Sequence, residues 1–331
     1  MSETLDAAGL LAGPRGRRLC FALVAAADSL WTLAGRATTA PSEQNTRALI
    51  GAIEQSIPAI TDGSLLDALS DAVDNARYWQ PPDETDLLLS DERMRAALEP
   101  TARRIAASAE TDWWHSPVAL DDQHYVQFTP DFGAPETAGA AAKLARWGAD
   151  TRREEQRAAE DSARANSSGS WWSTPALVRL PTTTRDRPAL GALKLRAMED
   201  AFGWTEADVW PLRPGSAPRV YEITGPSAWS RLVERFPLGV AASRLQDWRR
   251  TTGDVADWRI PDWEAVASAY DAVHLTVAGY LATAGRSLPA GEGRTVLAGW
   301  DPDETYWLTD LLERAGDPVN WRHDADRTWV R

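Results

Sequence analysis

The stretch Arg219–Phe236, RVYEITGPSAWSRLVERF, passes from one structural pattern to another within a few residues. Arg219–Ile223 alternates polar and apolar side chains, which is the period of a half-buried β-strand. The tripeptide Gly225–Ser227 then places a proline just ahead of Ala228–Phe236, and proline is favoured in the first turn of a helix. The stretch therefore predicts a strand followed closely by a helix, as in mixed α/β structure.

The same alternation continues on both sides of this stretch. Further strands are predicted at Ala176–Leu180, Val273–Val277 and Thr295–Ala298, and further helices at Leu190–Phe202 and from Pro261 to Tyr270. Gly203 follows the first of these helices, at the position where a glycine commonly ends one. Because strands and helices are joined by short links, we expect an α/β domain that carries any functional site.

Helical spacing dominates the first half of the chain. One helix is predicted behind Ser64, a second begins at Ser90 and is kinked at Pro100, and a long charged one runs from Pro135 to about residue 166. The segment Asn166–Ser170, NSSGS, is the candidate linker. We therefore expect an α+β fold, with a mostly helical domain over residues 1–165 and a mixed α/β domain over residues 171–331.

Composition and charge exclude several classes of protein. The 331 residues include 35 Lys and Arg against 48 Asp and Glu, a net charge of −13. This acidity argues against binding to nucleic acid or to an anionic membrane through the overall field. No apolar run reaches the 18 residues that suggest a membrane span, and the single cysteine, Cys20, excludes an internal disulfide framework.

The sequence near the N-terminus bears on localisation. Three arginines precede the apolar run Leu19–Ala27, an order that resembles a short signal peptide. Glu3 and Asp6 ahead of these arginines, and Asp28 directly after the run, favour a buried helix instead. We therefore expect a soluble, cytoplasmic protein.

Common catalytic and metal-binding motifs are absent from the sequence. It contains no P-loop, no GxGxxG after a strand, no HExxH and no GxSxG. The four histidines are widely spaced, so no metal site is predicted. The only lysines are Lys143 and Lys194, so we do not expect catalysis by a lysine nucleophile. Most of the 17 tryptophans are expected in the core. Two WWxxP-like phrases, at Trp113–Pro117 and Trp171–Pro175, could form a duplicated structural corner or two walls of one cleft, and a packing role is favoured.

Two local structures compete around Glu304. Asp301 and Pro302 have the chemistry of a helix start, with Glu304 in the first turn and Trp307–Leu312 at helical spacing. This pattern favours a helix. The alternative is a pair of strands, the second at Thr305–Leu308, flanking a turn that presents Glu304 to a ligand.

Three short motifs carry the resemblance to a known family. They are RVYEI with Arg219 and Tyr221, VHLTVAGYL with His274 and Tyr280, and DPDETYWL with Glu304. With the two-strand arrangement, the part of the chain from about Arg219 to Leu308 resembles the ADP-ribosyltransferase superfamily.

The resemblance implies a reaction and a co-substrate. Arg219, Tyr221, His274 and Tyr280 would hold NAD, with Tyr280 or a tryptophan stacked on the nicotinamide ring. The carboxylate of Glu304 would stabilise the positive charge that develops at the sugar carbon as nicotinamide leaves.

The chain departs from the family at specific points. It lacks a Ser-Thr-Ser strand element and a His-Gly-Thr motif, and Pro302 stands where Arg-specific members carry a second acid.

Other function classes remain open from the sequence alone. One is an enzyme with another nucleotide-like small molecule as its ligand. A second is a non-catalytic, tryptophan-rich protein that binds a partner or associates with itself. A third is a glycoside hydrolase that uses a pair of carboxylates, Glu222 and Glu304, across a tryptophan-lined cleft.

Overall fold

Helices occupy most of the first half of the chain, and short strands alternate with helices in the second half. We describe a computed structural model of the chain over residues 5–25, 28–128, 133–161, 169–187, 190–325 and 327–331. The fold is α+β, as the sequence predicts. Within the described residues, no helix combines the length and apolar character needed to cross a membrane.

The helices of the first half follow the predicted order, with shifted ends. They are α1 Ala7–Ala12, α2 Pro14–Val24, α3 Asp28–Thr39, α4 Glu43–Gln55, α5 Asp62–Asp74, α6 Glu84–Leu89, α7 Glu92–Ala106 and α8 Ala140–Glu160. Leu19–Val24 of the apolar run lie in α2, and all of them except Ala22 are buried. Residues 26 and 27 of the run lie outside the described residues. The helix predicted behind Ser64 begins at Asp62, because Thr61 and Ser64 bond each other's backbone N–H groups in a capping box.

The second half contains four more helices and most of the strands of the described chain. The helices are α9 Pro226–Arg235, α10 Leu245–Thr252, α11 Trp263–Ala269 and α12 Val277–Thr283. The strands are β1 Gln123–Gln127, β2 Thr182–Thr183, β3 Asp186–Arg187, β4 Gly191–Ala192, β5 Glu206–Pro214, β6 Val220–Ile223, β7 Pro237–Gly239, β8 Arg259–Pro261, β9 Ala272–Leu275, β10 Leu288–Ala290, β11 Gly293–Thr295, β12 Thr305–Trp307, β13 Leu312–Arg314, β14 Val319–His323 and β15 Trp329–Val330.

Two larger sheets contain nine of these strands, and the other six form the pairs β3-β4, β7-β8 and β10-β11. One has the order β2-β12-β9-β6, and the other has the order β1-β5-β14-β15, with β13 also paired to β5. In the first sheet β6 and β9 are parallel, with Glu222 opposite His274, and each of them leads into a helix. A small apolar cluster that includes Leu212 of β5 and Trp307 of β12 packs between the two sheets.

The helix predicted at Asp301 is wrong, and residues 305–307 form strand β12. Thr305 pairs with His274 on one side and with Thr183 on the other, so the segment is an inner strand of its sheet. Asp303 has a left-handed backbone with φ 59°, which a continuing helix does not allow. The acids that look like a helix start are instead bound by distant cations.

Three other predicted elements are wrong in whole or in part. Of the predicted strand Thr295–Ala298, only Thr295 belongs to a strand, β11. Ala176–Leu180 forms turns rather than a strand, with left-handed backbone at Leu177 and Arg179. Leu190–Phe202 contains strand β4 and a short 3-10 helix at Leu193–Leu195 rather than a long helix.

The largest hydrophobic core draws residues from both halves of the chain. Phe21 and Trp114 from the first half share this cluster with Trp229, Trp263 and Trp300 from the second. All five are at most 2% exposed, which confirms a core position for these tryptophans. The domain boundary between residues 165 and 171 stays a prediction. Part of the predicted linker, residues 166–168, lies outside the described residues.

Helix α12 approaches strand β6 so closely that a side chain at Gly279 has no room. A Cβ there would lie 2.2 Å from the carbonyl oxygen of Ile223 and 3.0 Å from Oγ1 of Thr276. Thr276 also caps the helix by accepting from the backbone N–H of Gly279, at 2.9 Å. Gly279 therefore sets the distance between the helix and the sheet.

We expect Gly279→Ala to lower the free energy of unfolding by at least about 2 kcal/mol, because the backbone must move to relieve the overlap. Urea unfolding measures this. The matched control is Gly51→Ala in helix α4, where a Cβ meets nothing within 4 Å and alanine stabilises a helix by about 0.5–1 kcal/mol. Equal effects of the two substitutions would contradict the conclusion that Gly279 sets the distance between α12 and the sheet.

Candidate functional site

The five residues predicted for the site lie in separate surroundings. Arg219 is exposed and held by Asp271, with Nη2–Oδ1 and Nε–Oδ2 distances of 2.9 and 3.0 Å. The hydroxyl of Tyr221 donates to the carbonyl of Ala228 at 2.7 Å. Among the described residues, no hydrogen bond or ion pair joins Arg219 to Glu304.

Glu304 lies in a buried group of charges that we call the Lys194 cluster, formed by Lys194, Asp301 and Glu304. Nζ of Lys194 lies 2.7 Å from Oδ2 of Asp301 and also forms an ion pair with Glu304. The backbone N–H of Asp301 donates to Glu304 Oε2 at 3.2 Å. Glu304 is only 2% exposed, so its carboxylate is enclosed and already bound to a cation.

Burial and charge act against each other in the Lys194 cluster. Burial alone would lower the pKa of Lys194, but Asp301 and Glu304 outweigh it and the pKa is raised. For Asp301, burial raises the pKa to about 6, with Lys194 opposing the rise and Glu304 adding to it. One cation, itself 17% exposed, thus serves two buried carboxylates.

Tyr280 lies on helix α12, in the protein core, beside other polar groups. Burial, reinforced by the charge of Glu199, raises the pKa of its hydroxyl well above the usual value. Glu199 accepts from the backbone N–H of Gly299 at 2.7 Å, and burial raises its pKa as well. With no exposed surface, Tyr280 has no face open for stacking on a ring in this structure.

His274 belongs to a second buried group, the His274 network, formed by Arg185, Glu222, His274 and Asp303. Its Nδ1 lies 2.6 Å from Glu222 Oε2, and its Nε2 lies 3.3 Å from Asp303 Oδ1. Arg185 binds Asp303 from the other side, with Nε 2.7 Å from Oδ1. The backbone N–H of Val118 donates to Glu222 Oε1 at 3.0 Å.

The two carboxylates keep His274 in its charged form. Burial alone would lower its pKa, but the hydrogen bonds and charges of Asp303 and Glu222 outweigh burial and raise the pKa to about 9. For Asp303, burial would raise the pKa, and the contacts with His274 and Arg185 lower it instead. The network is therefore two carboxylates bridged by an imidazolium, which joins neighbouring strands of the sheet β2-β12-β9-β6.

A cavity of about 700 Å³ opens between helix α8, the segment 169–179 and residues Ser243–Arg244. Cationic lining residues outnumber acidic ones. The cationic residues are Lys143, Arg146, Arg157, Arg179 and Arg244, and the acidic residues are Glu136, Asp150 and Glu154. Trp147, which is buried, and Trp172, which is half-buried, provide aromatic surface. This volume is typical of sites for small molecules and cofactors.

Arg244 is the charged residue of this cavity whose position is most unusual. It is 1% exposed, and its contacts are long: 3.3 Å to Glu154 Oε2, 3.3 Å to Ser243 Oγ and 3.4 Å to the carbonyl of Trp172. Glu154 is shared with the hydroxyl of Ser170. Burial lowers the pKa of Arg244, and the charges of Glu154, Glu155 and Asp247 oppose this change without outweighing it.

Strained backbone surrounds the aromatic wall of the cavity. Leu177 and Arg179 have positive φ values of 68° and 53°, and Leu177 is 84% exposed. Gly299, with φ 77°, lies so close to Trp172 that a Cβ would be 2.7 Å from the Cβ of the tryptophan. Left-handed backbone at non-glycine residues is costly and is concentrated at functional sites.

Some residues of the Arg244 cavity and of the two charge clusters stand out in the sequence, and others do not. Trp172 belongs to the second WWxxP-like phrase, and Lys194 is one of only two lysines. Arg244 carries no local signal, because its meaning depends on Glu154 and Trp172, which are distant in the sequence. The partnership of Asp303 with Arg185 is equally non-local.

Comparison of the chain with protein-family models, with curated proteins and with solved structures gives no match. The resemblance to the ADP-ribosyltransferase superfamily, and the roles it gives to the five residues, stay predictions. Among the residues that the structure describes, no group of three His, Cys, Asp or Glu side chains is placed to hold a metal ion.

The charge on His274 makes a pH dependence of stability testable. Its pKa in the folded protein, about 9, lies above the ordinary value of 6.5, so its contribution is complete below about pH 6.5 and is lost as the pH rises through about 9. We expect a loss on the order of 2–3 kcal/mol over that range. Urea unfolding at a series of pH values measures it.

Variants separate His274 from other titrating groups. In His274→Gln, the part of the pH-dependent loss of stability that is due to the imidazole disappears. Glu222→Gln keeps the histidine but removes one carboxylate, so stability falls less with rising pH than in the wild type. The same pH dependence in all three proteins would show that His274 is not charged in the folded state.

Glu304→Gln tests the Lys194 cluster. We expect it to lower the free energy of unfolding by about 1–3 kcal/mol, because Lys194 loses one of its two buried carboxylate partners. The control is Glu99→Gln, which removes the exposed partner of Arg103 on helix α7 and should cost less than about 1 kcal/mol. If both substitutions cost equally little in urea unfolding, Glu304 is not a structural ion-pair partner.

Proposed function

We propose that this protein binds an anionic small molecule of the nucleotide class in the cavity between α8 and segment 169–179. The observation that supports this most directly is Arg244, a buried arginine in the cavity wall with only long contacts to protein groups. A buried cation is costly unless an anion and hydrogen-bond acceptors compensate it. A phosphate group supplies both.

Arginine suits this ligand because its planar guanidinium can bind two phosphate oxygens at once. Arg157, which also lines the cavity, adds positive charge, and among the described residues its Nε donates only to the carbonyl of Arg153, at 3.1 Å. Nε of Arg146 lies 3.6 Å from Oδ2 of Asp150, so this side chain is less available. Lys143 is less available, since it pairs with Glu136 and donates to the carbonyl of Arg179, both at 3.1 Å. The phosphate position is therefore proposed at Arg244.

The aromatic residues of the cavity favour a ligand with a planar ring. Trp172 is half-buried, and its ring packs edge-on against Trp171 at 5.6 Å between centroids, which holds it in place. A ring of a nucleoside would stack on a tryptophan with a gain of about 1–3 kcal/mol. A cavity of about 700 Å³ accommodates a ligand of this size.

This proposal keeps the nucleotide ligand of the sequence hypothesis and moves its binding site. NAD, the co-substrate implied by the resemblance, has two phosphates and planar rings and is one member of the proposed ligand class. Transfer of ADP-ribose with Glu304 would require its carboxylate to leave Lys194. Hydrolysis with Glu222 and Glu304 would likewise require both to leave their cationic partners.

Titration calorimetry with ATP, ADP, AMP and NAD tests the proposal. We expect saturable binding of at least one of them by the wild type and a dissociation constant at least about tenfold higher in Arg244→Gln, since a charged hydrogen bond to phosphate is lost. The control is Arg47→Gln, an exposed arginine paired with Glu43 on α4, which should leave binding unchanged.

Two further variants separate the alternatives. Trp172→Leu should weaken nucleotide binding while changing the binding of inorganic pyrophosphate little, because only the ring contact is removed. If NAD binding is instead lost in Arg219→Ala and kept in Arg244→Gln, the site is the one predicted from the sequence and the cavity proposal is wrong. No binding of any of the four nucleotides would also overturn it.

A further inference from the structure

A second pocket, which we call the arginine pocket, lies on another part of the molecule. It has a volume of about 370 Å³ and is formed by helix α2, the turn at residues 75–83, the end of helix α10 and residues 285–287. It shares no lining residue with the cavity at Arg244. Its charged lining residues are Arg15, Arg17, Arg77 and Arg286 against Asp83 and Asp86.

The two carboxylates of the arginine pocket are already engaged. Asp86 forms an ion pair with Arg15, and Asp83 lies 2.6 Å from Nη1 of Arg18. Arg18 also reaches Asp86, at 3.7 Å. Arg18 also pairs with Asp71, at 2.9 Å, and Arg77 pairs with Asp200, at 3.4 Å. Arg17 differs from them, because it has no ion pair with a carboxylate in the part of the chain that the structure describes.

Main-chain oxygens take the place of a carboxylate partner at Arg17. Its Nη1 donates only to main-chain carbonyls, those of Leu11 and Ala12, both at 3.1 Å. Its Nε is buried without a hydrogen-bond partner, and so is the Nε of Arg15, a residue that is 2% exposed. Burial lowers the pKa of Arg17 to about 10; Asp86 opposes this, and the nearby charges of Arg95, Arg15 and Arg286 add to it.

We propose that the arginine pocket binds a phosphate group, as inorganic phosphate or as a phosphomonoester. Arg15 and Arg17 each keep a buried guanidinium nitrogen without a partner at this pocket. A phosphate dianion beside Arg17 would supply the negative charge and the hydrogen-bond acceptors that this side chain lacks. Arginine recognises phosphate oxygens through its planar donor pairs. The pocket volume limits the ligand to something smaller than the nucleotide proposed for the Arg244 cavity.

The wall of the pocket leaves room for a small apolar group beside the phosphate. Tyr78, Pro81 and Pro82 line it on the side of the turn. Tyr78 is fixed by its contact with Gly285, where a Cβ would lie 2.4 Å from the tyrosine ring, and Gly285 has a positive φ of 71°. The tyrosine side of the pocket is therefore closely packed against the backbone at Gly285.

Thermal unfolding of the full chain in phosphate and in chloride buffers of equal ionic strength tests the proposal. We expect a saturable, phosphate-dependent rise in the melting temperature of the wild type. Arg17→Gln should raise the dissociation constant for phosphate about tenfold, and Arg77→Gln should weaken binding in the same direction if Arg17→Gln does not fold. Arg104→Gln, an exposed arginine of helix α7, is the matched control and should behave as the wild type.

The outcomes distinguish this site from the nucleotide cavity. Arg244→Gln should keep the phosphate effect, and Arg17→Gln should keep nucleotide binding, because the two sites have no residue in common. Absence of a phosphate effect in the wild type, or an unchanged effect in both Arg17→Gln and Arg77→Gln, overturns the proposal. Loss of the phosphate effect in Arg244→Gln would assign the phosphate to the nucleotide cavity instead.

Discussion

The imidazolium of His274 is the contact on which the arrangement of the second half depends. It joins Glu222 of strand β6 to Asp303 in the turn before strand β12, while its own strand, β9, lies between them in the sheet. The same turn contributes Asp301 and Glu304 to Lys194. One short acidic turn is thus held by cations on both sides. Helix α12 packs against strand β6 of the same sheet.

Local patterns and distant contacts explain which parts of the fold the sequence reveals. The strand at Arg219–Ile223 and the helix after Gly225–Ser227 are fixed by nearby residues, so their pattern could be recognised. Asp301–Glu304 has equally good local chemistry for a helix, yet His274, Arg185 and Lys194 bind its acids from other segments. The site shows the same contrast, because Trp172 lies in a recognisable phrase whereas the environment of Arg244 arises only from folding.

The overall charge and the local charge of this protein have opposite signs where ligands are proposed. A net charge of −13 describes the field at a distance, which opposes association with polyanions. Inside a pocket the nearest groups dominate, since interactions between charges weaken with distance and with screening by salt. The Arg244 cavity and the arginine pocket can therefore favour small anions on a protein that repels large ones.

The scarcity of lysine has a consequence for covalent chemistry. Lys143 and Lys194 are the only lysines, their side chains are 18% and 17% exposed, and both are bound by carboxylates. Acylating reagents and conjugating enzymes need access to a free amine, and a partly buried ion pair restricts that access. The side chains of this protein therefore offer almost nothing to acetylation, to ubiquitin attachment or to amine-directed cross-linkers, although its surface carries many positive charges.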